Sequence, residues 1–414
     1  MKIHRLFSFS PLPTYLCKVN KTEYFFKQHL AQTTPFPFGI KVDHAKGSYI
    51  YDHDGKAYLD LISGIAVSNL GHGNPKVINA IKDQAEKHLH VMVYGEFEQT
   101  AQNDLANELL QTLPEPLNSF YFVNSGTEAN EAALKLAKRV TGRKKLIAFE
   151  GAYHGSTHGS LSVSYNPAKK VAFEPLLPQI EFIQLNHHSN LERIDENTAA
   201  VILETVQGDA GVRIANEAYL VALRERCSEV GALLILDEIQ CGMGRTAKMW
   251  AFQHYPITPD LLTAGKALGA GLPIGCLAAS KDLMEQFSFD PMLGHITTFG
   301  GHPLICAASA AGLKVIREEK LLDQVEEKGA FLEKGLQHPA IKEIRRIGLM
   351  LAVELENEDA VKKVVLEGLQ EGLLLFWFLS TPNAFRLAPP LTIGFHELGA
   401  GVKILKRLLD KIQS

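Results

Sequence analysis

The stretch Leu233-Leu-Ile-Leu-Asp-Glu-Ile-Gln240 sets four apolar residues directly before two acids. A short apolar run of this kind reads as a strand buried on both faces. Two carboxylates at its end are costly to bury unless a positive partner meets them. Such an acid could hold a protonated ring nitrogen, or it could emerge into solvent at the strand end; the stretch alone leaves both open. Runs of similar character lie upstream at residues 120–123, 145–149, 180–184 and 200–206, and the quoted run extends over 233–239. Helical periodicities at 127–141 and 217–230 fall between them. Strand–helix alternation predicts an α/β fold with a mostly parallel sheet between helices. Gly/Pro-rich interruptions at 265–273 and 300–303 read as loops inside this unit.

The last hundred residues have a different pattern. A helix near 303–317, a charged helix over 321–336, a strand-like 349–355 and a helix near 359–371 precede apolar runs at 373–378 and 385–387. A closing helix ends near Ile412, and together these predict a smaller α+β domain. Residues 49–54 and 57–61, flanking Gly55, read as a β-hairpin. The expected division is a 1–60 N-terminal segment packing with the small domain, a 61–311 large domain and a 312–414 C-terminal domain.

Composition narrows the functions. The chain has 414 residues, 46% hydrophobic and 21% charged, with a formal net charge of −4. That is the balance of a globular protein, and with no basic stripe nucleic acid is not an expected partner. No apolar run approaches the ~20 residues needed to span a bilayer. Five scattered cysteines give neither a disulfide framework nor a CxxC metal site, which points to a reducing cytoplasm. Lys2, Arg5, Lys18 and Lys21, with no acid in the first 22 residues, have the charge pattern of a transit peptide. The shortness of the stretch, with Pro11 and Pro13, favours a surface-lying extension instead.

Two further stretches carry chemistry. In Phe122-Val-Asn-Ser-Gly-Thr-Glu-Ala-Asn130 a strand runs into Ser125-Gly126-Thr127 and a helix follows. Free amides at a helix N-terminus, with small hydroxyl residues beside them, suit a phosphate; a plain helix cap is the competing reading. In Thr263-Ala-Gly-Lys-Ala-Leu-Gly-Ala-Gly-Leu-Pro273 a single lysine, Lys266, sits among small and apolar residues. Desolvation would free its amine as a nucleophile, whereas a flexible loop would leave it solvated.

Other motifs compete less well. Gly242-Met-Gly244-Arg-Thr-Ala247 fits the dinucleotide fingerprint, but Asp237, Glu238 and Gln240 stand where the turn should begin. The residues around Lys266 lack the upstream glycine and following hydroxyl of a P-loop. His154 and His158 have helical metal-ligand spacing, yet Gly155 and Gly159 argue against a helix, and no metal site is expected. His187-His188 reads as polar surface.

Taken in order, these segments resemble the class III aminotransferases, fold type I enzymes of pyridoxal phosphate (PLP) that include ornithine, acetylornithine and 4-aminobutyrate aminotransferases. The resemblance runs from about Thr33 to the end. It is carried by Gly64-Ile-Ala-Val67 with Asn69-Leu-Gly-His72, Asn124–Asn130, Ala152-Tyr-His-Gly155, Glu204 with Gln207-Gly208, and Asp237–Gln240 with Gly244-Arg-Thr246. Downstream it includes Lys266, Thr297-Thr-Phe-Gly-Gly301 and Arg386-Leu-Ala-Pro-Pro390. It implies a large domain with a mostly parallel sheet and a smaller α+β domain formed by the chain ends.

The resemblance also implies roles. Lys266 would hold PLP through a Schiff base and shuttle a proton, and Asp237 would pair with the ring nitrogen. Gln240 would reach the phenolic oxygen, while Tyr153 and Ile239 would cover the two ring faces. Ser125, Gly126 and Thr127 would bind the phosphate, joined by Thr298 of a neighbouring subunit, so that a homodimer shares its active sites. Glu204 would buttress the site, Arg386 would grip a substrate carboxylate, and Ile65 and Asp209 would line the substrate pocket.

Three positions depart from the family pattern. Asp209 stands where several members have a glutamate that pairs with the arginine. Ser156 replaces an arginine that binds a second carboxylate, and His302 replaces an asparagine. The implied reaction moves an amino group from an ω-amino donor (acetylornithine-, ornithine- or 4-aminobutyrate-like) to a 2-oxo acid, 2-oxoglutarate by default, in a ping-pong cycle. A pyruvate-using ω-transaminase, a same-fold aminomutase or racemase, and a non-catalytic scaffold are the alternatives.

Overall fold

The computed structural model describes residues 21–413. Lys2, Arg5 and Lys18, which carry most of the basic N-terminal pattern, lie outside the described residues. A first unit ending at Val42 contains the helix Lys21–His29. All that follows concerns the second unit, from Asp43 onward.

Seven strands form the main sheet: β1 (Ser119–Val123), β2 (Lys145–Phe149), β3 (Ile180–Ile183), β4 (Thr198–Glu204), β5 (Leu233–Asp237), β6 (Leu261–Gly265) and β7 (Gly275–Ala279). Their spatial order is β1-β7-β6-β5-β4-β2-β3, and only β7 runs against its neighbours. Every residue of β4 is buried, as expected when helices cover both faces of a parallel sheet. Side chains alternate along β5: Leu234 and Leu236 join one apolar cluster with Phe149, Tyr219 and Trp250. Ile235 joins another, with Leu136, Ala200 and Leu277, on the opposite face.

Three helices matter for the site: α1 (Gly126–Thr141), α2 (Glu217–Val230) and α3 (Pro303–Glu318). Ala132, Ala133, Leu136 and Ala137 form the buried side of α1, small enough to bring its axis close to the sheet. Gly142 ends α1 at φ +68, a left-handed cap that favours glycine. Pro303 opens α3, and His302 caps it: Nδ1 accepts from the Leu304 amide at 3.3 Å. Asparagine is a favoured residue at such a cap, so the histidine at 302 keeps the capping bond.

The expected strands and helices are present with small shifts of boundary. The predicted charged helix 321–336 is a 3-10 turn, Leu321–Gln324, followed by the helix Val325–Gly335. Strands β6 and β7 were not anticipated. Their sequences, LLTAG and GCLAA, are too short and too poor in β-branched residues to signal a strand, and burial at the sheet centre decides their conformation.

A separate antiparallel sheet joins Glu343–Ile347, Met350–Glu354, Ala384–Leu387 and Phe376–Trp377 in that order. The predicted hairpin forms from Tyr49–Asp52 and Ala57–Asp60. Leu373 and Leu374 then pair in parallel with Leu59 and Asp60, so early and late parts of the chain share a sheet. The architecture is α/β, with a large mostly parallel sheet domain and a smaller domain built from chain-terminal segments. Among the described residues no helix is long and apolar enough to cross a membrane.

Candidate active site

In open α/β sheets, ligands bind in the crevice beyond the carboxyl ends of the strands. Here β1, β4, β5 and β6 deliver Ser125, Glu204, Asp237 and Lys266 at or just past those ends, and Tyr153 follows β2. Register fixes their order: Asp237 lies beside Glu204 on one side and Thr263 on the other. Lys266 therefore emerges three residues beyond the neighbour of Asp237.

Asp237 is buried and fully engaged. Its Oδ2 accepts from Asn130 Nδ2 and His154 Nδ1, both at 2.8 Å, and Oδ1 accepts from the Ile239 amide at 3.0 Å. Asn130 also donates to the His154 carbonyl at 2.7 Å, while its Oδ1 accepts from Thr263 Oγ1 at 2.8 Å. Donation to a carboxylate places a proton on His154 Nδ1; its Nε2 is buried without a partner. The acid does not emerge into solvent, so that sequence-based alternative is set aside. Glu238 is buried too, accepting from the Ala251 and Phe252 amides and from Thr205 Oγ1.

Glu204 accepts from the Tyr153 amide at 2.8 Å and the Gly208 amide at 2.9 Å. Burial pushes its pKa up to about 7, against the opposing pull of His154. Lys266 is partly buried, and its backbone sits at φ +45, a strained setting for a residue with a Cβ. Burial lowers the pKa of its amine, while Asp237 and Glu204 pull the other way. A freely solvated lysine is not what the loop presents.

At the head of α1, Ser125 Oγ accepts from the Glu128 amide at 3.4 Å, and Glu128 reaches back to the Asn124 amide at 2.7 Å. The helix cap is thus real, and it still leaves the amides of Gly126 and Thr127 without intrahelical acceptors. Thr127 Oγ1 is tied to Thr157 Oγ1 and Ser160 Oγ, each at 2.8 Å. A Cβ at position 126 would stand 2.8 Å from the Ile239 side chain, so glycine is what admits Ile239 beside the helix end. Backbone meets backbone nearby: a Cβ at Gly275 would fall 2.0 Å from the Ser125 carbonyl oxygen. Gln240 folds against Gly208, where a Cβ would clash with its amide at 2.2 Å.

Arg386 enters from the strand Ala384–Leu387. Its guanidinium lies 4.4 Å from the Phe378 ring centroid, and Nη2 is 3.5 Å from Asp209 Oδ1. Nε is buried with no partner, and burial lowers the guanidinium pKa to about 10 despite the nearby carboxylates. Asp209 accepts from the Leu379 amide at 3.1 Å, Ser380 Oγ at 2.7 Å and Lys169 Nζ at 3.1 Å. Against the upward push of burial, Ser380, Lys169 and Arg386 hold its pKa below the ordinary value. The Tyr153 ring is exposed, with its hydroxyl 3.2 Å from Ser156 Oγ.

The predicted residues thus gather in one crevice, with two exceptions. Thr298 is exposed and makes no hydrogen bond to the others. Ile65 lies on a left-handed turn, at φ +65, anchored where Asp60 accepts from the Ile62 and Ser63 amides. Sequence reasoning assigned no role to Asn130, His154 or Lys169, although Asn130 and His154 lay inside quoted motifs and His154 was also weighed as a metal ligand. The glycines of 242–247 form buried turns, with a Cβ at Gly242 only 2.9 Å from the Trp250 ring, and no helix opens there.

The class III aminotransferase family model matches residues 31–409. An acetylornithine aminotransferase of Methanopyrus kandleri is 40% identical over 393 residues, covering 94% of this chain and 97% of that protein. A LysW-aminoadipate semialdehyde/glutamate semialdehyde transaminase of Sulfurisphaera tokodaii is 41% identical over 334 residues, 80% of this chain and 85% of that one. Among solved structures, the ornithine aminotransferase of Toxoplasma gondii aligns with a TM-score of 0.87 at 30% identity, covering 95% of each chain. A transaminase of the marine bacterium Virgibacillus aligns at 0.88 and 26% identity, over 95% of this chain and 99% of that one.

Proposed function

The chain belongs to the class III aminotransferase family and is a PLP-dependent aminotransferase, and from that premise we propose that it moves an amino group from an ω-amino donor of the acetylornithine, ornithine or 4-aminobutyrate type to 2-oxoglutarate. The amino group waits on the enzyme between two half-reactions. The observation that carries this reading is the placement of a desolvated lysine beyond the strand next to Asp237, with a buried arginine at the same crevice.

The residues fit the cofactor. Unbonded amides at Gly126 and Thr127 suit a phosphate, and a carboxylate held by three donors suits a protonated ring nitrogen. When bound, PLP would supply an electron sink for the C–H bond of the substrate carbon that bears the amine. Lys266 Nζ would hold the cofactor and carry a proton to and from the amine-bearing carbon of the substrate, a task eased by a lowered amine pKa. Asp237 would keep the ring nitrogen protonated, and His154 and Asn130 hold Asp237 in orientation. Tyr153 and Ile239 would cover the ring, Gln240 would bond to its phenolic oxygen, and Glu204 fixes the Tyr153 and Gly208 backbone. Ser125 would orient the phosphate loop. Arg386 would grip a substrate carboxylate with its planar donors, with Asp209 as its resting counter-ion.

The enzyme works as a homodimer in the cytoplasm, its Thr298 completing the partner's phosphate site. Support comes from the exposed apolar residues flanking Thr298: Phe289, Met292, Leu293, Ile296 and Phe299. The large domain is taken as 61–311 and the small domain as 312–414; the pairing of Leu373 with Leu59 supports joining residues 43–60 to the latter.

Pyruvate is the second reading for the acceptor, favoured by the uncharged Ser156 beside Tyr153. The test follows the visible absorption of the PLP-loaded protein. Acetylornithine, ornithine and 4-aminobutyrate are added in turn, and then each oxo acid. A donor that bleaches the band, with 2-oxoglutarate restoring it, supports the proposal. A band restored by pyruvate alone selects the second reading, and a substrate isomerised with no oxo acid consumed indicates a mutase or racemase.

A further inference from the structure

Beside Tyr153 lies a cavity of about 500 Å³ whose walls include Tyr153, Ser156, Asn166, Lys169, Asp209 and Ser380. Of the residues lining it, Lys169 alone carries a fixed positive charge. Its ammonium is 3.1 Å from Asp209 Oδ2 and 5.4 Å from the centroid of the Tyr153 ring. The backbone beneath it is held by a 3-10 turn, Pro167–Lys169, whose start is capped by Asn166 accepting from the Ala168 amide at 3.1 Å.

Two features suit this lysine to an incoming anion. Asp209 does not depend on it, because Ser380 Oγ, the Leu379 amide and Arg386 also face the same carboxylate. An ammonium has three donors, and Lys169 spends one of them on Asp209. Its side chain is about one-third exposed, against one-tenth for Asp209, so the spare donors belong to the more accessible partner. Asp209 thus stands between two cations, Arg386 and Lys169, and a substrate with two carboxylates can engage both. A monocarboxylate engages one.

We propose that Lys169 is a specificity-determining residue that binds the distal carboxylate of a dicarboxylic 2-oxo acid, supplying the charge that Ser156 lacks. This rests on the reading of 2-oxoglutarate as acceptor. The test uses the full-length, PLP-loaded wild type, Lys169→Met, Lys169→Arg and the double variant Lys169→Met/Ser156→Arg. For each, kcat/KM is measured with 2-oxoglutarate and with pyruvate, and glutarate binding is measured by calorimetry as a readout independent of turnover. Loss of one charged hydrogen bond should lower the 2-oxoglutarate:pyruvate ratio about tenfold or more in Lys169→Met, and weaken glutarate by a similar factor. Lys169→Arg should retain most of both, and Ser156→Arg should restore part of the ratio in the Met background. An unchanged ratio in Lys169→Met, or equal losses with both acceptors, overturns the proposal and leaves Lys169 as a prop for Asp209. A wild type that turns over pyruvate but not 2-oxoglutarate overturns the acceptor reading as well, and the wild-type measurement alone separates that failure from the other.

Discussion

Asn130→Leu removes the hub of the buried network while nearly preserving its volume. Three hydrogen bonds go: one to Asp237 Oδ2, one to the His154 carbonyl and one from Thr263 Oγ1. The bond to the charged carboxylate is worth about 1.5–3 kcal/mol and each neutral one about 0.5–1.5, so folding stability should fall by about 2.5–6 kcal/mol. On the role proposed for Asp237, only its bond bears on the reaction, because it stabilises the anion that would pair with the ring nitrogen. Transmitted to the chemical step, its loss slows the first half-reaction by about 10- to 150-fold. Stopped-flow mixing of the PLP-loaded variant with its donor measures that rate, and a thermal melt measures the stability. Thr263→Val serves as a companion, since it removes only the neutral bond and should lower Tm with far less effect on rate. An Asn130→Leu protein that folds, binds PLP and reacts at the wild-type rate would refute the reasoning.

Three further outcomes are expected. Arg386→Lys keeps the charge but loses the planar two-donor face and the Phe378 contact, so kcat/KM for the oxo acid should fall by about 10- to 100-fold in steady-state assays. Burial lifts both Glu204 and Glu238 from 4.5 to about 7, so between those values the folded protein holds protons that the unfolded chain has released. Apoprotein stability should therefore be greatest at the acid side of this window, fall as pH rises through it and level off above. Melts across that range should show a smaller fall for Glu204→Gln, and identical slopes would count against the buried-carboxylate account. Replacing Met292 and Phe299 together by Glu puts charge into the apolar surface around Thr298 and should yield monomers with weakened PLP affinity. Sedimentation velocity showing an intact dimer would show that this surface is not the interface.

The parts of the fold that were legible are those where local chemistry and tertiary position agree. β5 reads as a strand because both of its faces are buried, and α1 because its alanines and leucines repeat at helical spacing between a serine cap and Gly142. β7 escaped because Gly, Ala and Cys fit many conformations, and its strand is imposed by the neighbours on either side. Lys266, Asp237 and Arg386 stood out through motifs. Asn130 and His154 lay inside motifs too, but their tie to Asp237 was not legible, because it spans 107 and 83 positions and only folding makes it. The same holds for Lys169, a lysine in a polar stretch until Asp209 is brought within reach.

The contact of Gly275 with the Ser125 carbonyl has a consequence for the enzyme's history. Where β7 begins, the Ser125 carbonyl at the head of α1 leaves no room for a side chain at position 275. That spacing is a gauge made of main chain, so it cannot drift by small steps; any added carbon at 275 forces two strands and a helix to move together. Changes in substrate preference are then expected at the other wall, around Ser156, Lys169 and Asp209, where side chains alone set the shape. The half of the crevice that holds the cofactor is closed to gradual revision, and the half that chooses the substrate is open to it.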